Sequence, residues 1–146
     1  YGSFVSTTKK NIEIVTNSCG ALIYSTSLPP AILGAISAAV EIIPKLSKDR
    51  NILLKNSKDL INKLNKMNIN TLNSSSHIIP MVFENLQTCE KIAKFLKDNK
   101  FFVKTIKPPT VPEGMERIRL SLTSTMNKII LDDFLKVISR FKADEI

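Results

Sequence analysis

Two arginines near the end of the sequence have the type and spacing of an anion-binding pair. Arg117 and Arg119 stand two positions apart in RIRLSLT, so a strand there would place both on one face. The planar guanidinium can hold a carboxylate through two parallel hydrogen bonds, which lysine cannot reproduce. Alternation is also the ordinary pattern of an amphipathic strand. The pair alone therefore allows either a carboxylate site or a basic surface that faces water.

The run before that strand is rich in proline. PPTVP, residues 108–112, cannot form a regular helix or a central strand because proline lacks an N–H and fixes φ. Thr110 supplies the hydroxyl of this run, and Lys107 comes directly before it. The run predicts a stiff loop. Such a loop is either a generic turn or a device that holds a polar ligand with little loss of entropy.

Small hydroxyl side chains also precede a predicted helix. Ser25 and Thr26 lie in STSLPP, before a helix expected to begin at Pro30. Hydroxyls at such a junction can bind phosphate together with free helix N–H groups, or they can simply cap the helix. His77 is the single histidine, which excludes a site built from several histidines within this chain. No metal site is expected.

The first part of the chain reads as one strand followed by helices. Residues 1–7 are β-branched and aromatic and predict a strand. A helix follows, with Thr7 or Thr8 as its N-cap and Gly20 at its end, and residues 21–28 predict an extended segment. From Pro30 a long helix is apolar almost all round, so we expect it to be buried. Pro44 should interrupt it, and residues 48–67 predict an amphipathic helix.

The last seventy or so residues predict the order β-α-β-β-α. The strands are HIIPMVF, FFVKTI and RIRLSLT, and the helices are TCEKIAKFLKDNK and NKIILDDFLKVISRF. We expect a small sheet with helices on one face, an α+β arrangement. Pro80 favours an edge position for the first strand. The residues of the closing helix expected to face inward are Ile130, Phe134, Val137 and Ile138.

Composition narrows the possible partners. With 146 residues, 43% of them hydrophobic, the chain can bury one ordinary core. Its net charge of +8 is compatible with nucleic-acid binding, and KFFVKTIK intersperses aromatic residues with lysines as single-strand RNA binders do. The lysines are spread along predicted helices, however, which favours a solvated surface. Cys19 and Cys89 suggest no disulfide framework, so we expect a reduced, cytoplasmic setting, and no stretch is long enough to span a membrane.

Three stretches together resemble one enzyme family. LIYSTSLPPAILGAISAAVEII, SHIIPM and IKPPTVPEGMERIRLSLTS, in that order and spacing, resemble the α-oxoamine synthases, which are pyridoxal-phosphate enzymes of the aspartate-aminotransferase α/β fold. The resemblance implies that residues 1–28 end the large domain, 29–70 form connecting helices and 71–146 form the C-terminal small domain. It places the Schiff-base lysine a few residues before Tyr1. No catalytic residue, and no activity of this chain alone, is then expected.

The resemblance also implies roles for individual residues. Arg119 matches the family arginine that holds the carboxylate of the amino acid, and Thr110 matches a substrate-contacting threonine. Lys107 stands where the biotin-pathway members usually have arginine, at a substrate-binding position. Ser25 and Thr26 match hydroxyls that reach the cofactor phosphate of the other subunit, so a homodimer is implied.

The implied reaction is a decarboxylative condensation. L-alanine would react with pimeloyl-CoA, or with a pimeloyl-carrier protein, and lose carbon dioxide. The doubled proline of PPTVP favours this reaction over the family members that join glycine to succinyl-CoA, as in 5-aminolevulinate synthesis. An alternative of another class is a stand-alone regulatory or RNA-binding β-α-β-β-α module.

Overall fold

The computed structural model describes residues 3–83 and 85–144. The chain divides into two compact units, residues 1–47 and residues 48–146. In the described residues, no single helix is long and apolar enough to cross a membrane. The bent helix pair Pro30–Lys45 and Ser47–Lys66 meets the length and composition criteria only when its two helices are taken together.

The first unit is helical. Its helices are α1 (Lys9–Ser18), α2 (Gly20–Ile23) and α3 (Pro30–Ile42). Thr8 caps α1 as predicted, because its side chain accepts a hydrogen bond from the backbone N–H of Asn11 at 3.4 Å. A 3₁₀ turn at Ile43–Lys45 follows α3. The predicted interruption at Pro44 is therefore confirmed.

Three predictions for this unit were wrong. Residues 3–7 have no regular structure, since no described strand pairs with them, and Tyr1 and Gly2 lie outside the described residues. Gly20 begins α2 instead of closing α1, which ends through a bond from the Cys19 N–H to the Val15 carbonyl at 3.0 Å. The segment 21–28 is not extended throughout, because its first three residues belong to α2.

The expected burial of α3 was also wrong within this chain. None of its residues is buried, and the large side chains Leu33, Val40 and Ile42 are 51%, 45% and 50% exposed. An apolar side chain is buried only when another apolar surface covers it. No described residue of this unit covers α3 in that way, so its apolar surface stays open.

The second unit has the predicted β-α-β-β-α order. Its elements are α4 (Ser47–Lys66), β1 (Ile78–Val82), α5 (Leu86–Asp98), β2 (Lys104–Ile106), β3 (Arg117–Ser121) and α6 (Lys128–Asp144). The strands form one antiparallel sheet in the order β1-β3-β2. Pro80 therefore lies in an edge strand, as predicted. The strand β2 is shorter than the predicted FFVKTI, because residues 101–103 precede it without pairing.

One hydrophobic core joins the three long helices of this unit to the sheet. The inward strand residues Ile79, Met81 and Ile118 are fully buried, and Leu64 of α4 and Leu96 of α5 are buried with them. All three helices contribute to this cluster, so they cover one face of the sheet, as predicted.

The predicted inward face of α6 is correct except at its start. Phe134, Val137 and Ile138 are buried, whereas Ile130 is 41% exposed. Leu131, three positions before Phe134, is buried in its place. The apolar stripe of the helix therefore passes through Leu131, and Ile130 lies beside it.

Candidate functional site

The second face of the sheet carries none of the described helices of this unit and is called the open face here. Alternation along the strands assigns its residues. They are Ile78, Pro80 and Val82 of β1, Lys104 and Ile106 of β2, and Arg117, Arg119 and Ser121 of β3. The burial pattern agrees, because the residues between them on β1 and β3 are buried in the core.

The two arginines of the open face have different surroundings. The Nε of half-buried Arg117 donates a hydrogen bond to the Met115 carbonyl at 2.9 Å, which ties this side chain to its own loop. The side chain of Arg119 is exposed and makes no hydrogen bond or ion pair with any residue that the structure describes. Its five N–H donors are therefore available to a ligand, while Arg117 stabilises the loop.

Two consecutive turns form the loop between β2 and β3, residues 107–116. The Thr110 N–H donates to the Lys107 carbonyl at 3.0 Å, and the Met115 N–H donates to the Pro112 carbonyl at 3.1 Å. Gly114 has a φ of +75°, which the third position of the second turn requires and which glycine adopts without steric cost. The prediction of a proline-rich loop without helix or strand is confirmed.

The loop and Arg119 belong to one hairpin. Ile106 pairs with Arg117 at the end of the hairpin, so Lys107 leaves the sheet beside Arg117. Arg119 lies two residues further along β3, a distance of about 7 Å at the rise of a strand. Lys107 and Thr110 are both exposed, and neither side chain has a hydrogen-bonding partner among the described residues. The hairpin and its loop thus carry a guanidinium, an ammonium and a hydroxyl group, none of which has a side-chain partner among the described residues.

A buried carboxyl group lies just before β3. Glu116 is 7% exposed, its Oε2 has no hydrogen-bond partner, and its carbonyl accepts from the Phe83 N–H at 3.2 Å. Burial raises the pKa of the nearby Cys89 thiol, and the charges of Glu116 and Glu90 raise that pKa further. Cys89 is therefore held as a neutral thiol and behaves as a core residue. Neither residue faces the hairpin's donors, since Glu116 lies on the inner side of the sheet.

Ser25 and Thr26 belong to the first unit, between α2 and α3. Both are exposed. The Ser25 hydroxyl donates to the Leu22 carbonyl at 3.4 Å, a long and weak bond, and Pro29 takes the cap position of α3 without a side-chain hydrogen bond. The capping alternative is therefore wrong for these two residues. Two exposed hydroxyls before a helix N-terminus are donors that suit a phosphate group.

Sequence reasoning missed one residue of the open face. Lys104 is exposed and is the Cα partner of Arg119 across the β2–β3 ladder. Alternation in KFFVKTIK groups Lys104 with Phe102 on one face, but the register that sets Lys104 opposite Arg119 appears only in the fold. In the same stretch, Phe101 packs edge-on against Phe134 with ring centroids 5.4 Å apart, and Phe102 is 81% exposed.

The remaining sequence candidates give no site. His77 is exposed just before β1, where its carbonyl accepts from the Leu122 N–H at 3.0 Å. In residues 3–83 and 85–144, no group of three or more His, Cys, Asp or Glu side chains is placed to hold a metal ion. Among the described residues, the hairpin and the Ser25–Thr26 segment thus remain as the candidate ligand-binding segments.

Comparison with known proteins decides the family. The model of the family described as "Aminotransferase class I and II" matches residues 1–138. The chain belongs to the aminotransferase class I and II family. Pyridoxal phosphate is the cofactor of this family. The resemblance to the aminotransferase fold that the sequence motifs implied is confirmed.

Curated relatives within the aminotransferase class I and II family are similar over most of the chain. A protein of Desulfosudis oleivorans named "Putative 8-amino-7-oxononanoate synthase" is 35% identical over 132 residues, which are 90% of this chain and 34% of the relative. A protein of the same name from Paramagnetospirillum magneticum is 34% identical over 94% of this chain and 35% of its own length. The chain thus spans about a third of the length of these relatives.

Solved structures share the fold. A serine palmitoyltransferase from S. paucimobilis, solved with pyridoxal phosphate and myriocin, superposes with a TM-score of 0.81 at 23% identity, covering 91% of this chain and 34% of that one. The 8-amino-7-oxononanoate synthase of Francisella tularensis gives a TM-score of 0.76 at 23% identity, covering 96% of this chain and 41% of that one. At this identity, the two structures establish the aminotransferase class I and II fold and nothing finer.

Proposed function

We propose that the full-length protein is an α-oxoamine synthase that condenses L-alanine with a pimeloyl thioester, carried by CoA or by a carrier protein, to give 8-amino-7-oxononanoate and carbon dioxide. The names of the relatives at 35% and 34% identity support the choice of substrates. The stretch PPTVPEGMERIRLSLTS supports the family's amino-acid site. Palmitoyl transfer to serine and the condensation of glycine with succinyl-CoA are the competing reactions within the same chemistry.

The unpartnered guanidinium of Arg119 is the observation that carries this proposal. An arginine that serves folding normally pairs with a carboxylate or a carbonyl, as Arg140 does with the side-chain oxygen of Asn99 at 2.9 Å. Arg119 has no such partner among the described residues, although it lies in the middle of a well-packed strand. Together with its match to the family arginine, this leads us to assign Arg119 the role of binding the carboxylate of the amino acid and fixing the orientation of the Cα–H bond.

The proline-rich loop holds the remaining polar contacts. Thr110 offers a hydroxyl, and Lys107 offers a cation in place of the arginine usual in the biotin-pathway members. The turn that joins these two residues limits their motion, so little conformational entropy is lost when a ligand binds. We assign substrate contacts to both, with Lys107 acting as a point charge and not as a bidentate donor.

The segment before α3 fits the phosphate of the cofactor. Thr26 has no side-chain partner among the described residues, and the weak bond of Ser25 can be exchanged for a phosphate oxygen at little cost. When bound, pyridoxal phosphate supplies an electron sink for the α-carbon of the amino acid. We propose that Ser25 and Thr26 hold the phosphate bound by the partner subunit, which makes the active protein a homodimer.

The domain assignment follows from the same proposal. We assign residues 1–28 to the end of the large cofactor-binding domain, residues 29–70 to the connecting helices and residues 71–146 to the small domain. The open apolar surface of α3 supports this assignment, because a helix of that composition requires apolar neighbours beyond those described in its own unit.

Product analysis of the full-length protein tests the reaction. The purified protein, loaded with pyridoxal phosphate, is incubated with L-alanine, glycine or L-serine, each paired with pimeloyl-CoA, succinyl-CoA or palmitoyl-CoA. Mass spectrometry should detect 8-amino-7-oxononanoate from L-alanine and pimeloyl-CoA, in amounts well above every other pair. A dominant product from glycine or serine would overturn the substrate assignment while keeping the family chemistry. No product, together with retention of single-stranded RNA, would support the RNA-binding alternative.

A further inference from the structure

The open face holds a second cation directly beside Arg119. Lys104 and Arg119 are Cα partners in the antiparallel β2–β3 ladder, which places their α-carbons about 4.5–5.5 Å apart with both side chains on one face. Both side chains are exposed, and neither has a hydrogen bond or ion pair with a described residue. Two long cationic side chains that rise from adjacent positions can reach the same small anion.

Among the residues that the structure describes, no acidic side chain balances this pair within the sheet. The other residues of the open face are apolar apart from Ser121 and Arg117, and Pro80 is the partner of Arg119 on the β1 side. Of the two acidic residues in the adjoining loop, Glu116 is buried on the inner side of the sheet, and Glu113 makes no ion pair with either cation. Like charges directly opposite on a sheet destabilise it. A bound anion would remove that repulsion.

We propose that Lys104 binds the α-carboxylate of the amino acid together with Arg119, so that the carboxylate lies between two cations. This inference rests on the proposed function, since it takes the amino-acid carboxylate as the ligand of Arg119. Arg119 provides the two parallel hydrogen bonds that fix orientation, and Lys104 adds a point charge and one hydrogen bond that raise affinity. The apolar side chains of Ile78, Pro80 and Ile106 border the site and exclude some of the water that would otherwise weaken the attraction.

Lys104 is assigned here as a binding residue for the amino acid and not for the acyl thioester. The argument is geometric, because the pairing register sets Lys104 directly opposite Arg119, while Arg117 is only a diagonal neighbour and is tied to the Met115 carbonyl. Lys107 lies beyond the end of the strand and enters the loop, so it is free to contact a different part of the substrates. The two lysines of KTIK thus have separate roles.

Calorimetric titration of the full-length, pyridoxal-phosphate-loaded protein tests the inference. The ligands are L-alanine, L-alaninamide (which lacks the carboxylate) and pimeloyl-CoA. The variants are Lys104→Gln, Lys104→Arg and Arg119→Gln, with Lys94→Gln on the helical side as a matched control. We expect Lys104→Gln to raise the Kd of L-alanine by about 1.5- to fivefold, the range of an exposed ion pair, and Lys104→Arg to restore it. Lys94→Gln should change nothing, and L-alaninamide should bind both Lys104 variants as it binds the unmodified protein.

Three results would overturn the inference in different ways. If Lys104→Gln leaves the Kd of L-alanine unchanged while Arg119→Gln raises it, Lys104 has no role and the proposed function stands. If neither variant changes that Kd, the role of Arg119 fails as well. If Lys104→Gln weakens pimeloyl-CoA alone, Lys104 serves the other substrate. Thermal unfolding provides an independent readout, because removing one of two adjacent like charges should leave the melting temperature of Lys104→Gln unchanged or slightly higher.

Discussion

Replacing Arg119 by lysine should change substrate binding without changing the stability of the fold. The guanidinium makes no bond with a described residue, so its loss removes no contact that stabilises the fold. Lysine keeps the positive charge and offers a single hydrogen bond in the direction where arginine offers two. The entire effect should therefore fall on the substrate carboxylate, while the free energy of unfolding stays within about 0.5 kcal/mol of the unmodified protein, as for other surface substitutions.

The size of the effect follows from the lost hydrogen bond. A hydrogen bond to a charged group contributes about 2–3 kcal/mol when its loss leaves the partner unsatisfied. At about 1.4 kcal/mol for each factor of ten, this predicts a KM for L-alanine about 30- to 150-fold higher, provided that KM reports binding. The KM for the acyl thioester should change far less, because Arg119 is assigned to the amino acid alone.

Steady-state kinetics at saturating acyl thioester would measure this change, with denaturant unfolding run in parallel. Arg140→Lys is the matched control, because Arg140 lies on α6 and its Nη2 donates to the side-chain oxygen of Asn99 at 2.9 Å. That variant should leave the KM for L-alanine unchanged. An unaltered KM for L-alanine in Arg119→Lys, or an equal loss in both variants, would refute the reasoning.

Three further predictions concern the core beneath the site. Leu64→Ala should lower the free energy of unfolding by about 2–5 kcal/mol because Leu64 is fully buried in the core. Leu54→Ala, on the same helix but at a half-exposed position, should cost under about 1 kcal/mol in urea titrations; equal losses would contradict the described core. Cys89 should resist iodoacetamide at pH 8 until the protein is denatured, as read by mass spectrometry, because burial and Glu116 raise its pKa. The raised pKa also makes the free energy of unfolding depend on pH. The contribution of the neutral thiol is fully present below its ordinary pKa of 9.0 and is lost as the pH rises through the higher pKa of the folded state. The free energy of unfolding of Cys89→Ala should not show this loss.

The small sheet and its helices were predictable because their signals are local. Alternation in RIRLSLT and HIIPMVF and helical spacing around Leu96 and Phe134 each point to a buried face that the same unit supplies. The position of Pro80 on an edge strand followed from its missing N–H. In this unit, local preference and tertiary packing agree, so reading the sequence was sufficient.

Two of the errors fall where structure depends on a partner that the local sequence does not contain. Residues 3–7 have strand composition, but the described residues offer them no neighbouring strand. The α3 helix has the composition of a buried helix and is uncovered in its own unit. Gly20 was expected to end a helix, yet four residues beginning there form another short one. The composition of a segment shows which apolar surface it can bury. Whether that surface is buried depends on the neighbouring elements.

The candidate site shows the same division. Arg119 and the loop of Thr110 and Lys107 were found from residue type, spacing and family resemblance. That Arg117 is bound to its own loop while Arg119 is unpartnered could not be read from alternation, which treats the two alike. The position of Lys104 opposite Arg119 depends on strand register, which a hairpin loop of ten residues does not fix in advance.

A crystal structure of the full-length protein with pyridoxal phosphate and L-alanine would test the central claim most directly. Two nitrogens of the Arg119 guanidinium should lie about 2.7–2.9 Å from the two oxygens of the alanine carboxylate. A carboxylate held by other residues, with Arg119 in an ion pair or directed into solvent, would contradict the account.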